Sequence, residues 1–137
     1  MKYTIEIPTI ETLDTLTATA HRKGQKWMLD TIAAEMENRA SVGFESYTLI
    51  ISACPYVTDY FDANEVQNIL REMGYQTTFH SRKWELVVEW STRARHELQA
   101  LKDNGCAWRL PTRDDCAERQ SEIDTILANV KARRNRS

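Results

Sequence analysis

The 137-residue sequence contains few of the residues that mark several functional classes, with four glycines, three prolines and three cysteines. The glycines are scattered, and none belongs to a GxGxxG or GxxxxGK[ST] motif, which argues against a dinucleotide or P-loop site. Three cysteines are too few, and odd in number, for a secreted disulfide framework, so we expect a reducing, cytoplasmic setting. The apolar runs are far shorter than the roughly 20 residues that span a bilayer, so we expect a soluble protein.

Sequence patterns of catalysis and metal binding are also missing. The three histidines and three cysteines form no CxxC or HxxxH pair, the close spacing in which zinc ligands usually occur. No nucleophile lies in a recognisable elbow sequence. A metal-dependent hydrolase around Asp59, Asp62 and Glu65 is an alternative, but the neighbouring segment WELVVEW lacks the Glu-x-Lys pattern of such sites. We therefore expect a non-enzymatic protein without catalytic residues, metal or cofactor.

Charge is unevenly distributed along the chain. Residues 1–92 carry 8 Lys/Arg and 13 Asp/Glu, whereas residues 93–137 carry 10 and 7. This polarity suits head-to-tail contact between copies, or a basic arm that reaches an anionic partner; the alternative is an ordinary solvated surface. The candidate partner-binding residues are the basic residues of the C-terminal region, namely Lys131, Arg133, Arg134, Arg136, Arg109 and Arg113.

The first part of the chain predicts a long helix followed by a buried strand. Thr9 is a suitable N-cap, and apolar residues at helical spacing run from Ile10 to Ala40 with an interruption at Gly24. We expect either one long helix with a weak point or two helices that meet at Gly24. The next segment, SYTLIISA (46–53), is apolar on both faces at its centre, which predicts the central strand of a sheet.

A second helix and a β-hairpin follow this strand. Asp62 and Glu65 form an N-cap pair for a helix that Gly74 ends. The segments 75–80 and 84–91 then alternate between apolar and polar residues, which predicts two paired strands.

The C-terminal part predicts two helices joined by the segment CAWRLPTRDDC (106–116). Thr112 and Asp115 predict the N-cap pair of the last helix. From Cys116 onward, residues spaced by four and three form a seam that is wide enough to dock on a neighbouring helix, but too short for a free-standing coiled coil. The seam consists of Cys116, Gln120, Ile123, Leu127 and Val130. We expect a buried free thiol at Cys116, and a Cys106–Cys116 disulfide is the alternative.

These segments together predict a single α+β domain over residues 1–137. We expect a small three- to four-stranded sheet that packs against a long N-terminal helix, a middle helix and two C-terminal helices. The predicted strands lie near 46–53, 75–80 and 84–91, with 2–7 as the optional fourth. Within the domain, the pattern separates a helix-strand-helix-hairpin body (1–92), a two-helix C-terminal extension (93–130) and a basic tail (131–137).

The chain has a long amphipathic helix and a short strand, followed by NEVQNILREMGYQTTF leading into KWELVVEW. This arrangement resembles small accessory proteins of tailed bacteriophages. The resemblance covers residues 10–91 and rests on Leu70, Gly74, Tyr75 and Trp90, which are packing and turn residues. It implies the shape of the chain and a place in the virion or the host cytoplasm. It implies no catalytic residue.

We therefore predict a non-enzymatic protein-binding or assembly module of the virion-structural kind, which acts through packed surfaces by self-association or by binding another protein. The alternative is an early phage regulator that binds host polymerase, a defence protein or nucleic acid through its basic tail (131–137). Phosphate contacts made by such a tail depend on salt concentration and carry no base specificity.

Overall fold

The computed structural model describes residues 6–134, and it confirms the mixed α+β class. Its four helices are α1 (Ile10–Ser41), α2 (Tyr60–Glu72), α3 (Thr92–Asp103) and α4 (Arg113–Arg134). Its three strands are β1 (Ser46–Ile50), β2 (Gln76–His80) and β3 (Glu85–Glu89). Of the strand predicted at 2–7, residues 2–5 lie outside the described part, and Glu6 and Ile7 are not in a strand.

The three strands form an antiparallel sheet in the order β1-β3-β2, so β3 is the central strand. The prediction that segment 46–53 is central was therefore wrong. Its strand ends at Ile50, and residues 51–53 form a 3-10 turn. Leu49 and Ile51 are buried, whereas Ile50 is 54 % exposed, because only one face of this edge strand is covered. The apolar run arises from two buried residues that flank an exposed one.

The core lies between α1, α2 and one face of the sheet. Its fully buried side chains include Met28 and Ile32 from α1, Val66 from α2, and Leu86 and Val88 from β3. The two residues from α1 lie four apart and the two from β3 lie two apart, as one-sided packing of each element requires. Helix α3 contacts β2 and buries Ala94 and Leu98. The body thus extends beyond residue 92.

Helix α1 is a single continuous helix, so Gly24 neither breaks it nor joins two helices. The residue is buried, and a Cβ atom built on it would lie 2.8 Å from Cγ2 of Thr58 and 3.5 Å from Cβ of Tyr56. The loop before α2 therefore approaches the backbone of α1 at a distance that only glycine permits. This close approach brings the start of α2 against the middle of α1.

We predict that Gly24→Ala destabilises the protein although alanine is the better helix former. The 2.8 Å contact is with a short, branched side chain, so we expect a cost in the upper part of the usual overpacking range of about 1–3 kcal/mol. Such a cost exceeds the roughly 1 kcal/mol that alanine gains in a helix interior. The control is the same substitution in a Thr58→Ser background, which lacks the colliding methyl group and should make Gly24→Ala neutral or stabilising. Urea unfolding of the four proteins measures both effects; an equal effect of Gly24→Ala in both backgrounds would contradict the packing role.

Candidate functional site

The side chain of Asp62, in the first turn of α2, is completely buried and is surrounded by hydrogen-bond donors. Its Oδ2 accepts from His21 Nδ1 at 2.6 Å and from the backbone amide of Asp59 at 3.0 Å, and its Oδ1 accepts from Gln25 Nε2 at 2.8 Å. Because a carboxylate only accepts hydrogen bonds, Nδ1 of His21 carries a proton. This one carboxylate therefore connects the middle of α1 to the start of α2.

Asp59 is the N-cap of α2, and Asp62 is its capping-box partner. Oδ1 of Asp59 accepts from the amide of Asp62 at 3.0 Å, which completes the reciprocal pair. The prediction that Asp62 caps the helix with Glu65 was therefore wrong by three residues. The acidic residues at positions 59, 62 and 65 repeat the same spacing of three. The sequence pattern alone therefore does not distinguish a helix capped by Asp59 from one capped by Asp62.

Arg113, the first residue of α4, completes the cluster. Its Nη2 lies 2.7 Å from Oδ2 of Asp59 and 3.5 Å from Oδ1 of Asp62. Its guanidinium carbon is 5.8 Å from the ring centroid of Phe61. The base of α4 is thus held against the start of α2, and we call His21, Gln25, Asp59, Asp62 and Arg113 the Asp62 junction.

The pKa of Asp59 is lowered by this environment. Partial burial acts to raise the pKa of the carboxyl, but the hydrogen bond from the Asp62 amide and the hydrogen bond and charge of Arg113 outweigh that effect. The charge of His21 contributes in the same direction. Asp59 therefore stays ionised and paired below the pH at which an ordinary aspartate takes up a proton.

Side chains of α2 hold the segment before α4 through hydrogen bonds to its backbone. Asn68 donates to the carbonyl of Leu110 at 2.9 Å and accepts from its amide at 2.7 Å. Asn64 donates to the carbonyl of Pro111 at 2.8 Å, and Arg71 donates to that of Trp108 at 2.8 Å. These donors recur at helical spacing on α2, a polar stripe that sequence reasoning missed.

The start of α4 has the side-chain pair that its sequence predicts. Oδ2 of Asp115 accepts from the amide and the hydroxyl of Thr112 at 2.8 and 3.0 Å. The Asp115 amide donates back to that hydroxyl at 3.4 Å. The hydrogen bonds from the amide and hydroxyl of Thr112 lower the pKa of Asp115. Segment CAWRLPTRDDC therefore connects α3 to α4 and is held in place by hydrogen bonds.

Beyond Arg113, α4 projects from the body, and residues 114–133 are all exposed. Exposure is 44 % for Ile123, 60 % for Ile126, 55 % for Leu127 and 44 % for Val130. Within the described residues, the predicted seam therefore docks on no helix of its own chain, and the prediction of a buried thiol at Cys116 was wrong. The junction directs α4 away from the core, which leaves its apolar side chains in solvent.

The structure separates the basic residues that the sequence groups together. Arg113 points into the Asp62 junction, whereas Lys131 and Arg133 are exposed on the last turns of α4, about 27 Å further along the helix at 1.5 Å per residue. Arg109 is exposed in the connection. Arg134 ends α4, its side chain lies outside the described part, and Arg136 lies beyond the described residues altogether.

All three cysteines lie in the described part, and all are free thiols. Cys106 and Cys116 are exposed and line, together with Arg109, an open pocket of about 390 Å³ beside the start of α4. The alternative of a Cys106–Cys116 disulfide is not realised in this structure.

The Asp62 junction also contains the one group among the described residues that has a metal-binding composition. Ligand atoms of His21, Asp59 and Asp62 lie within 4.8 Å of one another, so His21 takes the place that the hydrolase alternative assigned to Glu65. A metal ion here would have to displace Arg113 and would face the positive N-terminal end of α2. The arrangement is better suited to bind the guanidinium of Arg113 than a metal ion.

Comparison with known proteins adds no family to this geometry, since no family model, curated protein or solved structure matches the chain. Among residues 6–134, no helix combines the length and apolarity needed to cross a membrane.

We predict that Asp62→Asn destabilises the protein by about 1–3 kcal/mol, because the amide group that replaces one carboxylate oxygen leaves a donor of the buried cluster without its acceptor. The matched control is Asp114→Asn, which removes an exposed carboxylate from the first turn of α4 and should change stability by no more than about 0.5 kcal/mol. Urea unfolding at neutral pH measures both variants. Equal stability of the two variants would contradict the role assigned to Asp62.

We predict that the stability added by the Asp59 charge disappears in acid. The pKa of Asp59 is lower in the folded than in the unfolded protein, so this stability is fully present above the ordinary value of about 3.9 and is lost as the pH falls through the lowered folded value. Asparagine also caps helices well, so Asp59→Asn removes mainly the charge. The difference in unfolding free energy between wild type and Asp59→Asn should be constant near neutrality and shrink below the ordinary pKa; a difference that grows in acid would contradict the assignment.

Proposed function

We propose that the protein is a non-enzymatic protein-binding or assembly module that presents α4 as its binding arm. The observation that carries the proposal is the exposure of Ile123, Ile126, Leu127 and Val130 on a helix that leaves the body. Contiguous apolar side chains that remain in solvent mark protein interaction sites. An apolar helix face with spacings of three and four is the form in which helices bind grooves or other helices.

The attachment of α4 supports this role. Arg113 is paired with Asp59, Thr112 is paired with Asp115, and the connection is hydrogen-bonded to α2. A binding element whose base is already ordered loses less conformational entropy when it binds. The Asp62 junction therefore holds the arm in position for a partner.

A second exposed apolar surface lies at the start of α1. Residues 10–18 are all exposed, and Ile10, Leu13 and Leu16 are 75, 47 and 61 % exposed. Their spacing of three places them along one side of the helix. A module with two such surfaces is suited to assembly, in which one copy contacts more than one neighbour.

More specifically, we propose that the protein is an accessory protein of a tailed bacteriophage, either a virion component or an early protein that binds host machinery. Its support is the resemblance of residues 10–91 described above. Lys131 and Arg133, both exposed near the end of the arm, favour the alternative in which an anionic partner such as nucleic acid binds there.

The test is a pull-down from bacterial lysate with the immobilised wild type and two variants of α4. Leu127→Glu places a charge among the exposed apolar residues, and Thr125→Glu places the same charge about 200° around the helix. We expect the wild type and Thr125→Glu to retain a common protein that Leu127→Glu loses, and calorimetry with that purified protein should reproduce the difference. A common protein that all three proteins retain equally would contradict the use of α4 as its binding arm, and loss of the signal after nuclease treatment would favour the nucleic-acid alternative.

A further inference from the structure

Charge is segregated along α4 into two halves of opposite sign. Residues 113–124 contain five acidic residues and two arginines, whereas residues 125–134 contain three basic residues and no acidic one. If two copies of α4 packed in parallel orientation, their halves of like charge would lie together. If they pack in antiparallel orientation, the acidic half of each helix lies against the basic half of the other.

The apolar residues of α4 are compatible with the same orientation. Ile123, Leu127 and Val130 lie along one face, and Ile126 borders it. An antiparallel pair with its two-fold axis at the level of Thr125 sets Ile123 of one copy beside Leu127 of the second. In the same register, Lys131 and Arg133 lie level with residues 119 and 117 of the second copy, next to Glu118 in the mainly acidic half, which also contains Arg119.

We propose that α4 pairs in antiparallel orientation with α4 of a second copy of this chain, through a two-fold interface. This proposal rests on the proposed function and names the partner of the arm. Both helices bury the same exposed apolar residues, and both halves of each helix meet the opposite charge. A two-fold interface closes on itself, so the assembly ends at a dimer through this surface.

The other apolar surface of the chain complements α4 less well. At the start of α1, residues 10–18 carry Glu11 and Asp14 and no basic residue. Their negative charge complements only the basic half of α4. A contact between α1 of one copy and α4 of the next also leaves a free α1 and a free α4 at the two ends, so it does not form a closed dimer. Self-pairing of α4 satisfies both halves of the helix at once.

Analytical ultracentrifugation of the purified protein tests the proposal, over concentrations from about 1 to 500 µM. We expect the wild type and Thr125→Glu to form a concentration-dependent dimer. Leu127→Glu should raise the dissociation constant roughly tenfold or more, because it places a carboxylate in the apolar interface of both copies. Circular dichroism checks that each variant retains its helices. A wild type that remains monomeric throughout, or a dimer unaffected by Leu127→Glu, overturns the proposal.

Charge-reversal variants test the orientation. In one variant, Glu118, Glu122 and Asp124 become lysine; in the other, Lys131 and Arg133 become glutamate. Each variant then carries one sign along most of α4, so each alone should be monomeric, and an equimolar mixture should form a heterodimer. Dimerisation of each variant alone at the wild-type concentration overturns the charge-paired arrangement.

The two proposals fail in different experiments. A purified protein that stays monomeric, while the lysate comparison yields a partner lost in Leu127→Glu, overturns self-pairing and leaves α4 as a binding arm for another protein. A monomer that retains nothing through α4 overturns both proposals. A dimer sensitive to Leu127→Glu supports self-pairing even when the lysate provides no further partner.

Discussion

The buried carboxylate of Asp62 is the interaction on which the arrangement of three helices depends. A charge without solvent contact is tolerated only when hydrogen bonds and opposite charge replace its hydration. Here His21 and Gln25 come from α1, the Asp59 amide from the start of α2, and Arg113 from α4. Satisfying one carboxylate therefore requires all three helices to meet, and their meeting point determines where α4 leaves the body.

Close packing and electrostatics support each other at this point. Gly24 lies between His21 and Gln25 in α1 and lets the loop that carries Thr58 approach the helix backbone. Without that approach, Asp59 and Asp62 would stand further from the side chains that neutralise them. The same geometry leaves most of α4 in solvent, so a feature that stabilises the body also presents an apolar helix for binding.

Local features of this structure were predictable from sequence, and long-range ones were not. The Thr112–Asp115 pair, the hairpin strands and the long first helix depend on neighbours within a few residues, and periodicity or spacing reveals them. The partners of Asp62 lie 37 and 41 residues away in sequence, and those of Asp59 include Arg113, 54 residues away. No local pattern encodes such distances. The edge position of β1 was missed for a similar reason, since the exposure of Ile50 depends on which strands the chain places beside it.

We infer that the Asp62 junction holds α4 in one orientation relative to the body. Electron–electron distance measurement between spin labels at Ser81 in the hairpin and Thr125 on α4 tests it most directly, with the native cysteines replaced by serine and the labelled protein diluted with unlabelled protein. We expect a single narrow distance distribution that broadens when Arg113 is replaced by alanine. A distribution that is already broad with the junction intact, or one that Arg113→Ala leaves narrow, would contradict it.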